Sequence, residues 1–241
     1  MHQVDIPQSI AQRVMERRGT LHVHADFDPL KTALIVIDMQ NCFLEPSLAA
    51  SAVPMAIEII PNINKLAAAV REAKGKVFWT LHTITPETLK NWSNWFGLFR
   101  ANQQQVQLRA KNMAPGSRGH ALHSKMDVHA EDVLVHKDRF SAFLPGSGDL
   151  IAQLHDGGFD TILITGTATN VCCETSARDA AMLNFKVIMV SDATATWTDA
   201  EHSASLSNIY SIFGDVMDVN FILDRLSRIP ADNASSKFIQ G

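Results

Sequence analysis

Five short apolar runs, separated by helical or polar spans, constrain the fold of this chain more than any other feature. The first, residues 33–38 (ALIVID), is continuous and ends in an acid, as expected of a strand buried on both faces. Residues 77–82, 132–136 (DVLVH), 160–165 (DTILIT) and 186–191 follow in the same style, and 215–219 offers a sixth. Residues 55–74 carry helical periodicity, with Ile59, Ile60, Ile63, Leu66 and Val70 as the apolar positions and Gly75 as the stop. Further helices are expected over 148–155, 170–184 and 200–213. Strands alternating with helices make βαβ units. The expected fold is therefore α/β: three αβα layers around a doubly wound, mostly parallel sheet of about six strands. Ligands of such sheets sit beyond the carboxyl ends of the strands.

At 241 residues and 46% hydrophobic, the chain can bury a full core in one domain. That domain is expected over 31–228, between an N-terminal extension (1–30) and a polar tail (229–241). It carries an insertion, 83–130, rich in Trp, Asn and Gln and long enough to cap a site. A net charge of -4 with mixed signs gives no reason to expect a nucleic acid or an anionic membrane as partner. The apolar runs are too short to span a bilayer, and the N-terminus lacks the basic-then-apolar order of a signal peptide. The three cysteines are Cys42 and the adjacent Cys172 and Cys173, and neighbours bridge poorly. An odd, sparse set of thiols suits a reducing compartment, so a cytoplasmic protein is expected.

Three chemically able residues collect at strand ends: Asp38 after the first strand, Lys137 after the third and Cys172 after the fourth. Gly166 ends the fourth strand, Asn170 offers an N-cap, and Cys172 then falls in the first helical turn, where backbone N–H groups lack partners. The positive helix end favours a thiolate, and the same amides can bind an oxyanion. A cysteine there is equally a small packing residue. Asp38 could cap a strand end or act as general base, and Lys137, which likewise follows a buried strand, could be an ordinary surface lysine. A nearby Lys137 would favour the anionic forms of Asp38 and Cys172.

The blocks DMQNCF (38–43), HKDRFSAF (136–143), GTATNVCCETSARDA (166–180) and SDAT (191–194) resemble the isochorismatase-like cysteine hydrolase family, and in particular its ureidoacrylate amidohydrolase-like members. The resemblance runs from Ala33 to about Leu226. It implies the isochorismatase-like fold, a catalytic Asp38, Lys137 and Cys172, and a cis peptide between Thr167 and Ala168. It also implies an oxyanion hole from the amides of Ala168 and Cys172, and a homo-oligomer, dimer or tetramer. Nicotinamidases of the family carry an Asp and two His for a metal, whereas this chain keeps only His82 in TLHTITPETLKN. No metal and no cofactor is therefore expected.

The expected reaction is cleavage of a C–N bond in a small amide or ureido/carbamoyl compound through an acyl-enzyme at Cys172. Gln40, Phe43, His82, Asn91, Trp92, Trp95, Phe140 and Phe143 are the candidate pocket residues, with Phe43 the readiest to prove a core residue. Asn91, Asn94 and Gln40 offer the paired donors and acceptors that an –NH–CO–NH2 unit needs. Residues 83–110 are expected either to wall the site or to form a satellite core. Two rival classes stand beside this reading: a metal-dependent hydrolase using the His22–Val–His24 pair, and a silent interaction protein that keeps the fold.

Overall fold

The computed structural model describes residues 1–48, 52–98 and 102–228; the tail at 229–241 and Phe99 lie outside them. Its six strands are β1 (Thr32–Ile37), β2 (Lys76–His82), β3 (Val133–Lys137), β4 (Thr161–Thr167), β5 (Lys186–Ala195) and β6 (Asp215–Met217). They form one sheet in the order β3-β2-β1-β4-β5-β6, and every adjacent pair is parallel. Helices flank it: α1 (Gln8–Arg18), α2 (Asn41–Leu44), α3 (Ile60–Glu72), α4 (Pro86–Asn91), α5 (Ser93–Gly97), α6 (Gln103–Asn112), α7 (Leu150–Asp156), α8 (Glu174–Met182), α9 (Asp199–Asn208) and α10 (Val219–Leu226). This is the doubly wound α/β architecture expected from the alternating runs.

Alternate strand residues feed two separate cores. Leu34, Val36, Val77, Trp79, Ile188 and Val190 pack with Ile63, Leu66 and Val70 of α3 and Ile222 of α10. Ala33, Ile35, Ile37, Phe78, Ile162 and Ile164 pack on the other face with Leu150, Ala177 and Leu206. Because both faces are covered, the strands read as continuous apolar runs rather than alternating ones. Each fully buried aliphatic side chain contributes about 1.5–3 kcal/mol.

Element ends differ from the sequence reading in ways that matter to the site. The 55–74 helix resolves into a 3-10 turn at Pro54–Ile57 and then α3, which starts with Pro61 in its first turn. The 170–184 helix is a π turn at Thr169–Cys173 followed by α8. Likewise α9 continues as a π turn, Ile209–Phe213. β3 runs to Lys137 itself. The N-terminal extension packs onto the domain: Val14 of α1 is buried in the second core, and Ile6, Ile10 and Ala11 pack against it.

The crevice of such a sheet lies where the winding reverses, here between β1 and β4. There the strands come unusually close. Gly166 has φ +103°, and a Cβ on it would lie 2.1 Å from the Ile37 carbonyl oxygen. Glycine alone fits that approach. The tight seam sets the end of β1, hence Asp38, directly beside the turn that carries Cys172.

Candidate active site

Asp38 follows β1 with φ +53°, a left-handed conformation that Asp tolerates better than most residues. The bend turns its carboxylate across the strand ends. Thr80 of β2 secures it, receiving the Asp38 N–H at 3.3 Å and donating its hydroxyl to Oδ1 at 2.8 Å. Lys137 must reach from β3 over β2, passing His82, its partner in the strand register. Its Nζ sits 2.7 Å from Asp38 Oδ2, 3.4 Å from His82 Nδ1 and 3.0 Å from the Arg139 carbonyl. Both charged side chains are completely buried. Apart from that ion pair, Oδ2 receives no well-aligned hydrogen bond among the described residues.

Cys172 lies in the π turn that links β4 to α8, and its sulfur, the Asp38 carboxylate and a His82 ring nitrogen fall within 4.8 Å of one another. The Thr167–Ala168 bond is cis, and the Ala168 carbonyl accepts from the N–H groups of Val171 and Cys173, both at 3.1 Å. Asn170 does not cap: its Oδ1 accepts the Thr196 hydroxyl at 2.6 Å. The expected acidic thiol is also corrected. Burial pushes Cys172 up to about 12; Lys137 opposes that rise and Asp38 adds to it. Cys172 therefore rests as a thiol. Burial alone would lower Lys137, but Asp38 and then Cys172 more than reverse this, so it stays an ammonium. Cys173 points away, its Sγ 3.8 Å from the Thr165 carbonyl within the core.

Three donors so close could suit a metal. The Lys137 ammonium, however, already stands against two of them, and a divalent cation would meet that fixed positive charge at contact range. The donor set matches an ammonium better. Burial, then Lys137, Arg109 and Arg139, hold His82 well below the usual imidazole range, so it is neutral.

The pocket candidates divide. Trp92 stacks on His82 (6.4 Å between ring centroids) and on Trp95 (4.5 Å), while Phe140 meets His82, Trp92 and Trp95 at 6.2, 4.8 and 5.3 Å. Trp92 and Phe140 thus stand directly against His82. Trp92 and Trp95 also pack against a satellite core of Cys42, Ile84, Phe96 and Met113, whereas Phe140 packs against the second core, so the insertion forms the small core expected as one of its two readings. Four candidates are placed elsewhere. Gln40 is buried with its amide donating to the His82 and His120 carbonyls (3.2 and 2.8 Å) and its oxygen accepting the His82 N–H (2.8 Å), which commits both ends to holding strand ends. Phe143 is a core ring against Phe185. Phe43 packs between the first core and the satellite core. Asn91 is exposed, donates to Glu87 at 3.3 Å and lines a surface cavity of about 370 Å³ with Arg139 and Ser147; Asn94 is exposed too. His22 packs on Phe221 and Tyr210, and the His22–His24 pair joins no metal-sized cluster among the described residues.

Sequence reasoning missed two cations. Arg139 lies over Trp92 at 5.1 Å and pairs with Asp138 at 2.9 Å; it stands two residues after Lys137 and was there to be noticed. Arg109 of α6 lies over Trp95 at 5.6 Å, and nothing in its sequence context marks it.

An isochorismatase-domain family model matches residues 32–221. The chain belongs to the isochorismatase family of hydrolases. Among solved structures, this isochorismatase-family hydrolase is similar to a cysteine hydrolase from Pseudomonas syringae pv. phaseolicola 1448A, at 29% identity over 84% of this chain and 95% of that one, with a TM-score of 0.71. An isochorismatase-like hydrolase from Alkaliphilus metalliredigens matches at 29% identity, 80% and 98% coverage and a TM-score of 0.67. N-carbamoylsarcosine amidase from Thermoplasma acidophilum shares the fold at 22% identity, 79% and 97% coverage and a TM-score of 0.62. No helix among the described residues is long and apolar enough to cross a membrane.

One stability prediction arises behind the site. His202 is fully buried against the turn that carries Cys172 and is lowered from the usual imidazole value of about 6.5 to about 4, by burial first and then by His2, against the Ser191 carbonyl and Asp199. A depressed folded pKa means the unfolded chain takes up a proton first as pH falls. His202's contribution is full above about pH 6.5 and is lost progressively down to about pH 4, a loss of about 3 kcal/mol at most. Urea melts across that range should show His202→Gln with a flatter acid slope than wild type. Parallel slopes would remove His202 from the account.

Proposed function

We propose that this hydrolase cleaves the C–N bond of a small amide, most favourably a ureido or carbamoyl acid, through a thioester at Cys172, without metal or organic cofactor. The observation that carries the reading is the buried Asp38 carboxylate, 2.7 Å from the Lys137 ammonium and within 4.8 Å of the Cys172 sulfur. Asp38 takes the Cys172 proton as sulfur attacks the carbonyl carbon, and the oxyanion rests on the Ala168 and Cys172 amides. Asp38 then returns the proton to the departing nitrogen, releasing ammonia or an amine as the C–N bond breaks. Water, activated by the same carboxylate, adds to the thioester, and the thiol and a carboxylic or carbamic acid leave.

The aromatic cluster beside His82 supports this substrate class. Trp92, Trp95 and Phe140 favour a flat group, which the planar ureido unit is, and Arg109 and Arg139 lie over that cluster as cations suited to a carboxylate. Ammonia release should be compared for a ureido acid, a dicarboxylic monoamide, a neutral ureide and nicotinamide, before and after dialysis against a chelator. The expected order puts the ureido acid first, with Arg109→Ala raising its KM about tenfold and leaving the neutral ureide nearly unchanged. A preference for nicotinamide by more than about tenfold, about 1.4 kcal/mol in transition-state binding, overturns the substrate class. Activity lost to the chelator and restored by zinc overturns the cofactor-free mechanism.

A further inference from the structure

We infer that His202, backed by His2 of the N-terminal arm, is a positioning residue that aims the turn carrying Cys172; this rests on the reading of Cys172 as nucleophile. Thr169 opens that turn, three residues before the thiol, and its hydroxyl lies 2.9 Å from His202 Nδ1. His202 Nε2 lies 3.0 Å from the Ser191 carbonyl, which can only accept, so Nε2 carries the hydrogen. Nδ1 is then the lone-pair side, and the Thr169 hydroxyl donates to it. One neutral imidazole thus ties the start of the turn to β5. Ser205 of α9 adds a second tie, donating to the Thr169 carbonyl at 3.2 Å, and Thr196 a third, donating to Asn170 at 2.6 Å.

The imidazole itself is held from behind. His2 stacks on His202 with centroids 4.5 Å apart and planes 20° from parallel, and its own side chain is 2% exposed. Its Nδ1 contacts Asp199 Oδ1 at 2.7 Å and its Nε2 receives the Thr196 N–H at 3.1 Å. The Asp5 N–H donates to Ser203 at 3.0 Å, and the Met1 ammonium pairs with Glu58. Residues at the start of the chain therefore complete a stack that ends three residues from the nucleophile. Such support matters because the attacking sulfur must meet the carbonyl within a narrow geometry, and a displacement of about 1 Å can cost about 100-fold in rate.

A merely structural histidine would affect melting alone, so the test reads the reactivity of the thiol. Iodoacetamide labelling of Cys172, followed by mass spectrometry with Cys42 and Cys173 as internal references, does this without a substrate. Thr169→Val removes the donor and His202→Gln moves the amide to the Nε2 side, so each should slow Cys172 labelling about tenfold while thermal melts remain cooperative. His202→Asn keeps an acceptor near the Nδ1 position and should stay within about threefold of wild type, and the Thr169→Val/His202→Gln double should be no slower than either single. Should the His202 variants fail to fold, His2→Ala, which leaves the Thr169 bond intact, is expected to slow labelling about threefold. Wild-type labelling rates in all soluble variants, or single effects that multiply in the double, overturn the positioning role. A wild-type protein in which Cys172 is not the preferred target overturns the nucleophile assignment itself, and is recognised before any variant is made.

Discussion

Cys172→Ser should lose turnover by about 10⁴-fold or more, while Cys173→Ser keeps most of it. Successive residues of a helical turn point about 100° apart, and the two sulfurs have separated accordingly. That of Cys172 lies within 4.8 Å of the Asp38 carboxylate and the His82 ring. That of Cys173 is buried in the sheet-side core, 3.8 Å from the Thr165 carbonyl. A serine hydroxyl at 172 is a far weaker nucleophile than a sulfur whose proton Asp38 can accept. A serine at 173 finds the Thr165 carbonyl as an acceptor, so the change costs packing rather than chemistry. Burst experiments with the preferred amide should place the acyl mass on Cys172 and nowhere else. A dead Cys173→Ser enzyme with an active Cys172→Ser partner would reverse the assignment.

Breaking the Asp38–Lys137 pair should hurt folding and chemistry together, and the two losses can be separated. Lys137→Met strands a fully buried carboxylate; removing one partner of a buried pair typically costs about 3–5 kcal/mol. Asp38→Asn strands the ammonium instead, with His82 and the Arg139 carbonyl as poor substitutes for a charge. The double variant Asp38→Asn/Lys137→Met removes both charges, so its unfolding free energy should recover most of that loss. Its activity should not recover at all, because nothing remains to accept the thiol proton. Denaturant melts and initial rates on the three proteins test both halves. A double variant as unstable as the singles, or one with restored turnover, would mean that the pair does something other than what its geometry implies.

The sequence by itself determined the layered α/β fold, because a strand covered on both faces must be apolar throughout and such runs are visible without knowing their neighbours. It also determined which three residues stand at strand ends, since a polar residue closing an apolar run announces where the strand meets the crevice. It did not determine the state of the thiol. A helix start in isolation acidifies a cysteine, but Cys172 is buried in a π turn ahead of α8, and that burial raises its thiol more than Lys137 lowers it. Nor did it determine the pocket. Gln40 and Phe143 sit in the same motif blocks as Asp38 and Lys137, yet one clamps the ends of two strands and the other fills the core. Arg109 and Trp95 are brought together by helices of the insertion whose packing no local periodicity encodes. Nor did it determine the place of the N-terminal arm, whose His2 comes to rest against His202 behind the turn that carries Cys172. Contacts across nearly two hundred residues depend on how the whole chain closes, and a local pattern of residue types carries no record of them.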